Sequence, residues 1–167
     1  MLFELKSVFL GDGETKEVSY QLDMKDTEID GIFPFTSPVS VTAVAQNRAS
    51  LVTLSLRCEY DYCRPCDRCM EDVRGTEVKQ FTHPLVQELV DETNDDYIET
   101  PDFTLELDEV VRTDLILAYP QKFFCSRGEN CRGLCPKCGK NLNEGDCGCD
   151  KTVVDPRLEI LKQLMED

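Results

Sequence analysis

The sequence of residues 54–62 is LSLRCEYDY, and it decides the class of fold because apolar and polar side chains alternate along it. A period of two is typical of a β-strand that buries one face and exposes the other. The predicted buried face carries Leu54, Leu56, Cys58, Tyr60 and Tyr62. On this interpretation Cys58 acts as a small buried hydrophobic residue and takes no part in the cysteine chemistry considered below.

Strand-like patterns continue on both sides of this stretch. They predict four further strands, at residues 2–8, 18–22, 39–45 and 73–81, the last of which is closed by Pro84. Polar turns at 11–13 and 46–49 separate neighbouring patterns. Together these features predict an antiparallel β-sheet or a partial barrel.

Residues 88–109 contain ten acidic side chains and no basic one, which favours an exposed acidic loop. A central helix is predicted to follow at 108–119. Asp108 is suited to cap it, and Val111, Leu115 and Ala118 recur at helical spacing before Pro120.

A short C-terminal helix is predicted after Asp155 and Pro156, with Leu158, Leu161 and Leu164 or Met165 on one face. That face would dock onto the core or onto a partner. The predicted architecture is α+β, with a mainly β part at 1–124 and a Cys-rich segment with the C-terminal helix at 125–167. We expect the two parts to form one structural unit.

Ten cysteines in 167 residues require an explanation. The N-terminal residues show no basic stretch or cleavage site of a secretory signal, and the longest apolar run, Leu115 to Tyr119, is too short to span a membrane. We therefore expect a cytoplasmic protein with reduced thiols and no membrane partner. Most of the cysteines are then expected to be metal ligands rather than disulfide partners.

The strongest local motif is CPKCGK at residues 135–140. Two thiolates three positions apart can grip one ion, and Gly139 tolerates the positive φ of the turn that follows. Cys147 and Cys149 are the nearest candidates to complete a tetrahedron around zinc, in the pattern C-x2-C-x8-C-x-C. The sequence thus predicts a zinc site made of Cys135, Cys138, Cys147 and Cys149.

A second site follows from the cysteines that remain. Cys66 and Cys69 form another C-x2-C pair, and Cys125 and Cys131 are left to complete it. One alternative places Cys125 or Cys131 in a single site with the motif at 135–140, so the count is one or two zinc ions. Cys63 could be a spare ligand.

Other chemistries have less support. Iron–sulfur ligation also uses four thiolates, but a glycine after C-x2-C is more typical of zinc. A redox C-x-x-C at 66–69 would need a βαβ context that the sequence does not indicate. His83 is the only histidine and is expected to be exposed. The sequence therefore offers almost no residues that could form the nucleophile and base of nucleophilic catalysis. We expect a structural metal, no enzymatic activity and no small-molecule substrate.

The formal net charge of −15 opposes long-range attraction to RNA and favours basic partners. Each zinc with four thiolates would add about two negative charges. Basic residues among the ligands could offset that charge or form a small RNA patch, and they are Arg64, Arg68, Arg127, Arg132, Lys137 and Lys140.

The order of these motifs resembles the bacterial YceD family over roughly residues 35–165. The resemblance rests on CDRCM at 66–70, the acidic loop, LILAYP at 115–120, GLCPKCGKNLN at 133–143, CGC at 147–149 and DPRL at 155–158. Met70 stands where the family motif has leucine.

The resemblance implies a non-enzymatic cytoplasmic factor that supports 23S ribosomal RNA accumulation, and hence biogenesis of the large ribosomal subunit. We hypothesise that its partner is ribosomal RNA or a basic ribosomal protein. A thiol or zinc redox sensor, and a metal-stabilised interaction module without an RNA link, are the competing interpretations.

Overall fold

A computed structural model describes residues 1–88 and 96–149 of the chain. The predicted C-terminal helix and residues 89–95 of the predicted acidic loop lie outside the described residues. The strands are β1 (Leu2–Glu4), β2 (Thr15–Leu22), β3 (Val39–Arg48), β4 (Leu51–Pro65), β5 (Asp72–Val86), β6 (Ile98–Glu99) and β7 (Thr104–Glu106). The helices are α1 (Lys6–Leu10) and α2 (Leu107–Leu117), with 3-10 turns at Pro101–Phe103, Gly128–Asn130 and Leu142–Glu144.

The main sheet has five strands in the order β2-β3-β4-β5-β6, and β1 pairs with β7 in a separate two-stranded ribbon. β2, β3 and β4 pair antiparallel, whereas β5 and β6 run parallel, so the sheet is mixed. The α+β class is therefore confirmed. Closure into a partial barrel stays a prediction, since the pairings of the described residues run from β2 at one edge to β6 at the other.

The alternation in residues 54–62 lies in the centre of β4 and faces the core. Leu54 pairs with Ala45 and Leu56 with Ala43, and all four side chains are buried. Cys58 is fully buried among them, which confirms the prediction that it is a core residue. The apolar side of α2, formed by Leu107, Val111 and Leu115, joins the same core.

The predicted strand at 2–8 is wrong beyond Glu4. After the short β1, the chain turns into α1, because Leu5 and Val8 are three positions apart and can both reach the core from one side of a helix. A spacing of three fits a helix, whereas a strand would have placed these two side chains on opposite faces.

The predicted exposed loop at 88–109 is wrong from Ile98 onward, whereas Asp96 and Tyr97 are exposed. Ile98–Glu99 adds an edge strand to β5, and Leu105 of β7 pairs with Phe3 of β1. Thr100 is fully buried, and both its backbone N–H and its hydroxyl donate to the Val86 carbonyl at 2.8 Å. The acidic side chains indicated exposure of the segment to solvent, but they did not show that its backbone is hydrogen-bonded to neighbouring strands.

Two predicted boundaries also differ. β3 continues through 46–48, and the turn is made by Ala49 and Ser50, whose φ values of 52° and 65° are those of a tight two-residue hairpin turn. β5 runs past Pro84 to Val86.

The predicted helix at 108–119 begins and ends slightly earlier, and Asp108 is not its cap. Glu106 occupies the cap position without a side-chain hydrogen bond, while Asp108 accepts from the Met1 amino group at 2.7 Å. The prediction that His83 is exposed is also wrong, because its ring is half-buried and Nε2 lies 2.7 Å from an Asp114 carboxylate oxygen.

The chain divides into two units. The first consists of Met1–Arg64 and Asp72–Phe123, and it contains the sheet, both helices and the apolar core. The second consists of Pro65–Glu71 and the chain from Phe124 onward. Among the described residues, no helix has the length and apolar character needed to cross a membrane.

Candidate metal centres

Eight of the ten cysteines lie in the second unit and form two groups of four. The buried group is Cys66, Cys69, Cys125 and Cys131, and the local group is Cys135, Cys138, Cys147 and Cys149. Within each group, every sulfur lies within 4.8 Å of the other three. Either group could therefore hold one metal ion. These are the pairings that spacing predicted, and the alternative of Cys125 or Cys131 beside Cys135 and Cys138 does not match this arrangement.

The two C-x2-C segments have the same backbone geometry. In the buried group, the Met70 N–H donates to the Cys66 carbonyl at 3.0 Å, and the Cys66 N–H donates to the Glu71 carbonyl at 2.8 Å. In the local group, Gly139 donates to Cys135 at 2.9 Å, and Cys135 donates to Lys140 at 2.8 Å. Both segments are thus tight turns that place two thiols on the same side.

The residue after the second cysteine has a positive φ in both turns, 72° for Gly139 and 62° for Met70. Glycine adopts this conformation without strain, whereas a side chain makes it costly by about 1–2 kcal/mol. The Met70 side chain is 59% exposed, so packing does not compensate for this cost.

Replacing Met70 by glycine should therefore stabilise the second unit. Part of the relieved strain is offset by the larger entropy of glycine in the unfolded chain, which leaves an expected gain of about 0.5–1 kcal/mol. Hydrogen exchange of amides 66–71 should slow accordingly in the variant. Met70→Ala, which keeps a Cβ, should show no comparable gain, and equal behaviour of the two variants would contradict the strain argument.

Backbone N–H groups point at the first sulfur of each turn. Burial alone would raise the pKa of the Cys66 thiol, but the N–H groups of Cys69, Arg68 and Cys125 donate to its sulfur and lower the pKa to about 6. At Cys135, N–H donation from Cys138 and Lys137 likewise lowers the pKa to about 6.

Other thiols in the same groups shift in the opposite direction. Burial raises the pKa of Cys69 to about 12, and donation of its proton to neighbouring sulfurs adds to the shift. Proton donation to Cys138 and Cys147 raises the pKa of Cys149 to about 12. Each group thus combines a thiolate with thiols that share protons among sulfurs, and a divalent cation can displace those protons.

The two groups differ in their access to solvent. All four cysteines of the buried group are buried, whereas in the local group only Cys135 is. Cys138 is exposed, and Cys147 and Cys149 are half-buried. Water and small reagents can therefore reach the local group more readily.

The basic residues near the ligands have different partners. Arg127 Nη1 lies 3.6 Å from the Cys125 sulfur and also pairs with Glu71. Arg132 and Lys140 both contact Asp146, through its carboxylate and its carbonyl respectively. Charge compensation predicts that a cation contacts a sulfur of one of the groups, and Arg127 makes such a contact.

The other two arginines have structural contacts. Arg68 donates to the Glu129 carbonyl at 2.8 Å and stacks on Phe124, with its guanidinium carbon 4.8 Å from the ring centroid. In the first unit, Arg64 stacks on Phe123 at 4.3 Å. These contacts make both arginines part of the packing of their own unit.

Cys63 belongs to neither group. It lies in the first unit, on the wall of a surface pocket that also includes Asp61, Tyr62 and Arg74. It is not among the sulfurs that lie within 4.8 Å of one another in either group, and its role as a spare ligand stays a prediction.

Two asparagines that the sequence did not single out contact the buried group or its neighbour Glu71. Asn143 Nδ2 lies 3.4 Å from the Cys131 sulfur, and Asn141 Nδ2 donates to Glu71 Oε1 at 3.1 Å. The sequence offered only a weak signal, the pair of asparagines in KNLN at 140–143.

Comparison with known proteins gives two matches. The family described as "Large ribosomal RNA subunit accumulation protein YceD" matches residues 54–165. The uncharacterized protein YlbN of Bacillus subtilis (strain 168) is 27% identical over 134 residues, which cover 78% of this chain and 76% of YlbN. No solved structure gives a significant match. The family match spans both C-x2-C turns, both groups of cysteines and most of the described β-sheet, so the chain belongs to the YceD family.

Proposed function

We propose that the chain holds one zinc ion in each group of four cysteines and that these ions are structural. The observation that carries the proposal is the sulfur geometry. Zinc bound tetrahedrally by thiolates at about 2.3 Å requires sulfur–sulfur separations of about 3.8 Å. Cys69 and Cys125 have sulfurs 3.8 Å apart, and all separations in both groups are within 4.8 Å.

This geometry disfavours the other uses of cysteine. All ten cysteines are free thiols, and a separation of 3.8 Å is far longer than a disulfide bond of about 2.05 Å. An iron–sulfur cluster places several iron and sulfide atoms between its cysteine ligands. Sulfurs that lie within 4.8 Å of one another suit a single ion instead.

The ligand sets also favour a role without catalysis. Four cysteines around one zinc leave no coordination position for water or substrate, as is typical of structural zinc. The chain has a single histidine, and that residue pairs with Asp114 in the first unit. A catalytic centre would need an open metal position or a nucleophile beside a base.

Within this framework, we propose that the protein is a cytoplasmic factor that supports the accumulation of 23S ribosomal RNA and the biogenesis of the large ribosomal subunit. The family description supports that role. Its partner is ribosomal RNA or a basic ribosomal protein. The net charge of −15, made more negative by two zinc–tetrathiolate centres, favours the basic protein on electrostatic grounds.

A second candidate function is a zinc-dependent thiol sensor, which the exposure of Cys138 favours. The two candidates predict different behaviour under mild oxidation. A sensor should lose zinc from the local group rapidly and regain it on reduction, whereas a purely structural centre should stay metallated.

Elemental analysis of the purified chain should give two zinc ions per molecule. The Cys138→Ser/Cys149→Ser variant should give one, since two thiolates cannot retain the ion of the local group. Cys63→Ser is the control and should keep both ions. Iron in place of zinc, or a metal-free protein that keeps its fold, would refute the structural zinc proposal.

The ribosomal role is tested in cells that lack the protein. We expect a lower ratio of 23S to 16S ribosomal RNA and a deficit of large subunits in sucrose gradients, restored by the wild-type chain. Nuclease treatment of a pull-down then separates the partners, because a basic protein should stay bound while an RNA-mediated contact is lost. Unchanged 23S levels in the deletion strain would contradict the role.

A further inference from the structure

The turn that closes the local group also contacts the buried group. Residues 141–143 lie between Cys138 and Cys147, so they belong to the loop of the local group. Yet the Asn143 side chain lies 3.4 Å from the Cys131 sulfur, a member of the buried group. One segment of chain therefore borders both candidate centres.

A second contact reinforces the first. Asn141 donates to Glu71 Oε1, and the other oxygen of Glu71 pairs with Arg127, which reaches the Cys125 sulfur at 3.6 Å. The Asn141 side-chain oxygen Oδ1 also accepts from the Asn143 backbone N–H and from Asn143 Nδ2, at 3.0 and 2.8 Å. The two asparagines are thus fixed relative to each other and to two sulfurs of the buried group.

The backbone connects the same elements. Leu142 donates to the Gly133 carbonyl at 2.9 Å, and the Arg132 N–H donates to Asn143 Oδ1 at 2.8 Å. Leu134 pairs with Asn141 in a β-bridge and donates to the Arg68 carbonyl at 2.9 Å. The segment that contacts Cys131 and Glu71 is bounded along the chain by Cys138 and Cys147 of the local group.

The two groups differ in the length of chain that each must close. The local group lies within residues 135–149, whereas Cys69 and Cys125 of the buried group are 56 positions apart. Closing a longer loop costs more conformational entropy. Fixing the positions of neighbouring residues in advance should therefore strengthen metal binding more at the buried group.

We propose that the two centres bind metal cooperatively, with the occupied local group orienting Asn141 and Asn143 so that they organise the ligands of the buried group. The proposal rests on the proposed function, because it requires a metal ion in each group. Linkage makes the effect reciprocal, so an ion in the buried group also strengthens binding in the local group. Outer partners of metal ligands typically change metal affinity by about 10–100-fold.

The test measures zinc affinity at the buried group by competition with a chromogenic chelator, using the full chain. Asn143→Ala keeps all eight cysteines and should weaken the buried group about tenfold. Cys138→Ser/Cys149→Ser leaves the buried group intact in sequence and should weaken it by at least as much. When the two variants are combined, Asn143→Ala should weaken the zinc affinity of the buried group by less than a further factor of about two, because the turn is already released.

Asn130→Ala is the matched control. Asn130 is exposed and lies between Cys125 and Cys131, so its replacement should leave both affinities unchanged. Cobalt substitution provides a second measurement, since the absorption of tetrahedral cobalt–thiolate centres reports whether the four ligands of the buried group remain bound. A variant that had simply unfolded would lose that absorption completely.

The outcomes separate the two proposals. Two bound zinc ions with independent affinities, or fully additive effects of the variants, would overturn the coupling and leave the structural zinc proposal standing. A wild-type chain that binds no zinc would overturn both. A weakened buried group in Asn143→Ala, with no further loss in the combined variant, is the result expected.

Discussion

Replacing Cys66 by serine should lower the zinc content to at most one ion per chain and unfold the part of the second unit that carries the buried group. The described part of that unit buries little apolar surface, since its buried side chains are five cysteines and Leu142. On the proposal of bound zinc, its order comes from the metal. Binding of a structural zinc ion contributes on the order of 10 kcal/mol, which is comparable with the whole stability of a small domain.

Hydrogen exchange measured by mass spectrometry locates the effect. In Cys66→Ser, peptides covering 65–71 and 124–134 should exchange as an unfolded chain does. Peptides from β3 and β4 should stay protected, because the core of the first unit buries its apolar side chains without metal. Cys63→Ser changes a cysteine outside both groups and should retain two ions and full protection. Protection of 124–134 in the Cys66→Ser variant would contradict a metal-dependent fold.

Replacing Gly133 by alanine should destabilise the second unit by about 2–4 kcal/mol. Gly133 has a φ of 71°, and a Cβ there would lie 3.0 Å from the Arg68 carbonyl oxygen. That oxygen accepts from the Leu134 N–H, and the Gly133 carbonyl accepts from Leu142. The added methyl group must displace backbone rather than a side chain, so the turn at Arg68 and the bridge at Leu134 would both shift.

Gly139→Ala is the matched control for Gly133→Ala. Gly139 has almost the same φ, 72°, but no atom lies within 4 Å of its Cβ position. It should therefore lose only the conformational term, about 1–2 kcal/mol. Chelator resistance of the bound zinc and exchange of amides 131–142 measure both variants. Equal losses in the two variants would show that the close approach to Arg68 has no energetic importance.

Patterns of period two predicted the strands well. In β3 and β4 one face is buried along the whole pairing, so alternation of side chains along the sequence follows burial directly. The strand prediction for residues 2–8 was wrong beyond Glu4, because apolar residues three apart in a short run also fit a helix. Only the pairing of β1 with β7 and the burial of Val8 decided between the two.

The acidic composition of the segment after β5 predicted its structure less well than periodicity predicted the strands. The acidic residues of 96–109 are compatible with paired backbone, because a strand needs only its N–H and C=O groups and its inward side chains. Thr100 and Leu105 supply the buried positions, and Phe3 and Val86 supply the partners. Those partners are distant in sequence, so local composition could not reveal them.

Spacing along the chain was sufficient to predict which cysteines belong together. A C-x2-C turn is a local structure, and Cys135 and Cys138 have few nearby partners to choose from. Counting the remaining cysteines then favoured Cys125 and Cys131 as partners of Cys66 and Cys69, with Cys125 or Cys131 beside the motif at 135–140 as the alternative. This reasoning uses chain connectivity and the number of ligands that zinc prefers, and neither requires the tertiary structure.

The tertiary structure alone decided how the two groups relate. Asn143 sits in the loop of the local group and contacts a sulfur of the buried group, because the 131–143 segment folds back through the Leu134–Asn141 bridge. Hydrogen bonds between side chains depend on directions and distances of a few ångströms, which composition and spacing do not encode. The sequence by itself thus determined the alternating strands at the centre of the sheet and favoured the two groups of cysteines, whereas the structure determined that the groups share a turn.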